Sequence, residues 1–152
     1  STDESDEVLP IFFSRGGSLR MLTDIAEQDL TQIYSYACQL FSEGDFPAAR
    51  NFYQLLSTFD HWNFEYLLGL GLCHQRLSAH GEAINCFARA GMINVDDPRS
   101  AFFAGISYRM VGHEDGARKA FHAAIRWCGE QTHYQEIKDS AEDMLKKYME
   151  HE

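Results

Sequence analysis

Residues 69–90, GLGLCHQRLSAHGEAINCFARA, carry the pattern on which the chain is built. Apolar residues recur three and four apart, stop at the polar turn SAHGE (78–82), and resume with the same spacing. That is the signature of two amphipathic helices joined by a tight connection. Shifted by 34 residues in either direction, the stretch meets itself. Ala49, Ala83 and Ala117 coincide, as do Tyr53, Phe87 and Phe121, and then Leu56, Ala90 and Ala124. In the preceding helix the small residues Ala37, Gly71 and Gly105 share one position, and Gly44, Ser78 and Gly112 meet at the turn.

This is the spacing of tetratricopeptide repeats. A small residue on each helix lets a hairpin close to the near end of the about 8–10 Å range of helix packing, and an aromatic one turn later fills the space beside the next hairpin. Further breaks at EGD (43–45), DDP (96–98) and GHEDG (112–116) predict helix pairs at about 30–43 with 46–57, 64–77 with 80–92, and 98–110 with 114–127. No strand-like alternation of useful length interrupts them, so the class is all-α. The late proline usual in each repeat is missing, and His80 and Glu114 stand where the first repeat has Phe46.

A solenoid needs caps, because its last hairpin otherwise exposes an apolar face. Residues 132–149 supply one: Tyr134, Ile137, Ala141, Met144, Leu145 and Tyr148 form one stripe, with Lys138, Glu142, Asp143 and Lys146 opposite. At the other end Leu19, Met21, Leu22 and Ile25 suit a short helix that starts at Ser18, after the hinge Gly16-Gly17. The expected organisation is an acidic tail (1–11), an N-terminal helical segment (12–29), three repeats (30–131) and a capping helix with its tail (132–152).

Composition narrows the function. A chain of 152 residues with 45% hydrophobic and 13% aromatic content has enough apolar mass for one folded domain. A net charge of −10 argues against a nucleic-acid partner. No run of 18 apolar residues predicts membrane insertion, and residues 1–10 lack a secretory pattern, so a cytoplasmic location is expected. Cys38, Cys73, Cys86 and Cys128 sit among apolar neighbours at helical spacing, which suits free thiols. Cys73 and His74, with His80 and Cys86 nearby in sequence, do not make a metal or thiol-enzyme site, because adjacent helical residues point about 100° apart. No glycine-rich nucleotide loop is present. Neither catalysis, cofactor nor metal is expected.

In a stack of helix hairpins the first helices line the concave face. The fifth and ninth positions of the repeats are Tyr34 and Cys38, Leu68 and Leu72, Phe102 and Ile106, and the twelfth are Phe41, Gln75 and Arg109. An apolar groove in that place marks a binding site.

Together, the acidic tail, the segment FFSRGGSLRML at 12–22, IYSYACQLFSEGDFPAARNFYQLL, HWNFEYLLGLGLCHQRL, the DPR that opens the third repeat and one last helix are similar to the class II chaperones of bacterial type III secretion, over roughly residues 12–148. The resemblance implies a cytoplasmic bacterial protein that keeps a membrane-inserting translocator soluble by holding an N-proximal extended segment in the groove. Tyr34, Phe41 and Phe46 match family aromatics that contact it. Relatives associate through their N-terminal region. Here Phe12 and Phe13 precede a diglycine hinge and need some surface to leave water, so a weak homodimer through Phe12, Phe13, Leu19 and Leu22 is expected.

The rival is an adaptor that clamps the acidic C-terminus of a heat-shock chaperone. That task needs Lys, Asn and Arg at fixed concave positions, and only Arg99 fits; Tyr34, Cys38, Gly69, Leu72 and Phe103 occupy the rest.

Overall fold

The computed structural model describes residues 27–149. The acidic tail, the expected helix from Ser18 and the dimer residues Phe12, Phe13, Leu19 and Leu22 lie outside the described residues. Among those described there are seven α-helices and no strand: α1 Glu27–Ser42, α2 Phe46–Phe59, α3 Phe64–Arg76, α4 His80–Ile93, α5 Pro98–Met110, α6 Glu114–Cys128 and α7 Gln135–Met149, the last preceded by a 3₁₀ turn at Thr132–Tyr134. Each helix packs on the next in chain order, giving three hairpins and a final helix laid against α6. The cap expected from residue 132 thus begins with a tighter turn, and its helix proper starts at Gln135.

The starts are chemically marked. Asp45 accepts from the Ala48 amide, Asn63 from Tyr66 and Asp97 from Arg99, while His113 Nδ1 accepts from Gly116. Each supplies a partner that the first turn of a helix lacks. Ala79, in the same register as Asp45 and His113, supplies none.

The hairpin turns repeat as well. Gly44, Ser78 and Gly112 all have positive φ, at 84°, 61° and 78°. At each, the following amide reaches back five residues to close the helix: Asp45 to the Leu40 carbonyl (2.9 Å), Ala79 to His74 (2.8 Å) and His113 to Tyr108 (2.9 Å). Glycine takes this conformation without strain; Ser78 does so against the crowding of its β-carbon.

Packing explains the small residues. Ala49, Ala83 and Ala117 are fully buried, as are Leu56, Ala90 and Ala124. A β-carbon on Gly71 would come 2.5 Å from the Phe87 ring, and one on Gly105 would come 2.7 Å from Phe121, so each glycine is the seat of its own hairpin's aromatic. The first hairpin differs. Ala37 fills the equivalent place, and Tyr53 lies instead where a side chain on Gly69 would be. α7 completes the third hairpin by burying Ala141, with Ile137, Met144, Leu145 and Tyr148 packed around the Phe102–Phe121 cluster.

Candidate partner-binding groove

The first helices of the hairpins, α1, α3 and α5, carry the expected groove residues. Tyr34 and Cys38 on α1 are half-buried, and they gather with two residues from neighbouring helices. The Tyr34 ring meets Tyr66 at 5.4 Å and the edge of Tyr53 at 6.2 Å, while Cys38 Sγ lies 3.2 Å from the Tyr53 hydroxyl. Burial, with the neighbouring Cys38, pushes the Tyr34 phenol up to about 12, so it stays neutral at any physiological pH. The result is an aromatic wall with few charges.

At the rim beside it, Phe41 from the end of α1 meets Phe46 from the start of α2 edge to face at 5.0 Å. The exposed Arg76 guanidinium lies over both rings, 5.8 and 5.4 Å from their centroids. Phe41 and Phe46, each named from the sequence, are thus brought together, with a cation over them that sequence spacing did not bring to light.

Not every expected residue faces outward. Leu68 and Phe102, expected on the exposed concave surface, are only 4% and 9% exposed. Leu68 packs with Phe64, Leu67, Ala83 and Phe87, and Phe102 with Phe121 and Ala141, so both belong to the core between hairpins. The cause is the close stacking that the glycines permit, which pulls the fifth position of these repeats into the interface. Leu72 and Ile106, one turn later, remain half-buried.

Gln75 is half-buried too, and its amide nitrogen is already engaged. It donates to the Phe103 carbonyl (3.0 Å) and to Ser107 Oγ (2.8 Å), a buried hydroxyl also in hydrogen-bond contact with His80 Nδ1 (3.0 Å). Gln75 ties α3 to α5. Arg109 ends the row, half-buried, with its guanidinium against Met144 and over the Tyr148 ring.

Arg99 does not offer a clamp. It donates to Glu65 (2.7 Å) and Asp97 (2.9 Å) and lies 5.0 Å from the Phe64 ring centre. Hydrogen bonds donated to Asp97 and then to Glu65 raise its affinity for its proton further. Its charge is already neutralised by two acids of its own chain. The cysteines are free, and burial pushes the thiols of Cys73 and Cys86 up to about 12 and about 11, which removes the thiolate that nucleophilic or metal chemistry would use. No group of His, Cys, Asp or Glu among the described residues is arranged to hold a metal ion.

Residues 30–63 match the tetratricopeptide-repeat family model. Along nearly its whole length the chain is similar to the low calcium response locus protein H of Yersinia pestis, 28% identical over 99% of this chain and 93% of that one. Among solved structures it resembles PcrH of Pseudomonas aeruginosa in complex with the chaperone-binding region of PopD, with TM-score 0.82, 26% identity, and coverage of 84% of this chain and 96% of that one. In sequence and fold the chain is thus similar to the class II translocator chaperones of type III secretion. A type III secretion complex from Aeromonas hydrophila is likewise similar, with TM-score 0.80, 28% identity, and coverage of 92% of this chain and 93% of that one. No helix among the described residues of this chain is long and apolar enough to cross a membrane.

Proposed function

We propose that this chain is a class II chaperone of type III secretion that holds an extended, apolar, N-proximal segment of a translocator along α1, α3 and α5, and keeps that partner soluble in the bacterial cytoplasm until export. The observation that carries this is the row of half-exposed Tyr34, Cys38, Leu72 and Ile106, with the Phe41–Phe46 pair at its rim, on a fold shared with PcrH bound to the chaperone-binding regions of PopD and PopB. Holding needs no nucleotide turnover, in keeping with the lack of a phosphate-binding glycine loop in the sequence.

The side chains divide the work. Tyr34 and the rim pair present large rigid surfaces that cost little entropy to immobilise, and so serve as anchoring points. Leu72 and Ile106 continue the apolar floor, and the groove ends at Arg109. A second copy of the chain, meeting the first through Phe12, Phe13, Leu19 and Leu22, covers these apolar side chains before a translocator arrives; the relative SycD has been crystallised in an alternative dimer. The peptide-clamp reading is disfavoured because Arg99 is tied to Asp97 and Glu65.

Co-expression with the products of the neighbouring secretion operon, followed by affinity purification and mass spectrometry, tests the function. Recovery of a protein with membrane-inserting apolar segments, lost in the Tyr34→Ala/Phe41→Ala double variant, is the expected result. Recovery undiminished by that variant rejects the groove, and recovery of a heat-shock chaperone through its C-terminus restores the rival.

A further inference from the structure

The twelfth position of the repeats changes chemistry along the stack, from Phe41 through Gln75 to Arg109, and its far end is a cationic cleft of about 360 Å³. Arg109, Glu114, Lys147 and Tyr148 wall this cleft. Two guanidinium groups lie over the Tyr148 ring, Arg109 at 6.0 Å and Arg118 at 5.6 Å from its centroid. Glu114 is the one carboxylate of the lining, and it faces Arg118 at 3.8 Å. Among the described residues no carboxylate lies within ion-pair distance of Arg109 or of the exposed Lys147, and the buried Tyr148 hydroxyl has no hydrogen-bond partner. Arg109 and Lys147 thus line one cleft with no carboxylate paired to either, so an incoming anion would meet two cations not already engaged by acids of the chain.

We propose that this cleft receives a carboxylate side chain of the segment held in the groove, so that the segment is read with polarity: apolar side chains at Tyr34, Phe41 and Phe46, and an acidic side chain at Arg109 and Lys147. The proposal rests on the groove reading above and names a feature of the partner that the apolar floor does not specify. Arg109 is the specificity residue, since its planar fork matches a carboxylate and its orientation is fixed by Tyr148 and Met144. Helices α1 and α5 lie two packing distances apart, roughly 20 Å, which an extended chain spans in about six residues.

The test uses the full chain and a library of fluorescein-labelled dodecapeptides. Each carries two leucines as anchor in a serine–glycine background, with a single Glu, Gln or Lys moved along the remaining positions on either side. Fluorescence anisotropy is expected to show leucine peptides binding more tightly than serine controls. At one site about five to seven residues from the leucines, Glu is expected to bind about fivefold or more tightly than Gln, a preference that fades between about 50 and 500 mM salt. Arg109→Gln is expected to erase the Glu preference while keeping that for leucine, and Arg109→Glu to transfer it to Lys. Lys147→Gln, an exposed change that leaves packing intact, is expected to reduce it. Leucine-dependent binding with no acidic preference at any site, or a preference unchanged in these variants, overturns the carboxylate site and leaves the groove standing. Absence of leucine-dependent binding overturns both. Equal binding of Glu and Gln peptides that separates only after Asp3, Glu4, Asp6 and Glu7 are neutralised assigns the cleft to the chain's own tail and also overturns the proposal.

Discussion

The Phe121 ring occupies the place where a β-carbon on Gly105 would stand, 2.7 Å from that position. The two residues belong to opposite helices of the third hairpin, so their contact sets how closely α5 and α6 approach. Gly105→Ala is expected to cost about 1–3 kcal/mol in urea unfolding, because neither the ring nor the backbone can yield without loosening the hairpin. Gly71→Ala against Phe87 is expected to behave alike. At Ala37, where a β-carbon is already accommodated, the reverse change to Gly is expected to cost only about 1 kcal/mol through helix propensity. Equal losses at all three positions would reject the seating of the aromatic on the glycine.

Removing Tyr34 and Phe41 together is expected to weaken partner binding by roughly 2–4 kcal/mol, the scale of two anchoring aromatics, with little change in helical circular dichroism. Calorimetric titration with the co-purified translocator measures it.

The second hairpin carries two removable defects. Ser78→Gly relieves a left-handed backbone at a residue with a β-carbon, and Ala79→Asp supplies the capping oxygen that Asp45 provides in the first hairpin. Each is expected to stabilise the fold by about 1 kcal/mol, and the pair is expected to raise the thermal midpoint by several degrees. A drop in midpoint on Ser78→Gly would mean that the serine side chain compensates its strain.

Arg99→Ala separates structure from binding. It leaves the mostly buried Asp97 without its cation, so a loss of about 1 kcal/mol in stability is expected, with partner affinity unchanged. A large loss of affinity at full stability would revive the clamp.

His74 gives the chain an acid-sensitive element. Burial lowers its proton affinity below the ordinary histidine range, Arg50 adds to that effect, and Glu82 opposes it. The folded state therefore prefers the neutral ring. As pH falls through the unfolded value of about 6.5, the unfolded chain takes up the proton first and stability declines. Urea midpoints measured between pH 7.5 and 5 are expected to fall less steeply in His74→Gln than in the unaltered chain.

The repeat was legible because its determinants are local and periodic. Ala83 and Ala117, the glycines at 71 and 105 and the turn at 44, 78 and 112 recur at one spacing, and the helices lie close to the ranges that spacing predicts. Burial at the fifth position was not legible. Whether Leu68 or Phe102 faces outward depends on how far the next hairpin tilts over it, a property of two helices that one helix's pattern does not hold. Gly69 gave no repeat signal, since its counterparts are Ser35 and Phe103; it answers to Tyr53 on a different hairpin. The cleft at Arg109 needed α7 folded back to bring Lys147 and Tyr148 beside a residue nearly 40 positions earlier.

α7 also limits how copies of the chain can combine. It lies over the open side of the third hairpin, burying Ala141 inward and turning Glu142, Asp143 and Lys146 to water. Head-to-tail stacking, in which the last hairpin of one copy receives the first hairpin of the next, would propagate into a filament. The charged outer face of α7 denies such a chain its landing surface. Pairing through like surfaces, as proposed above for the N-terminal segment, would close at two copies, and the blunt α7 end then sets a ceiling on polymer growth.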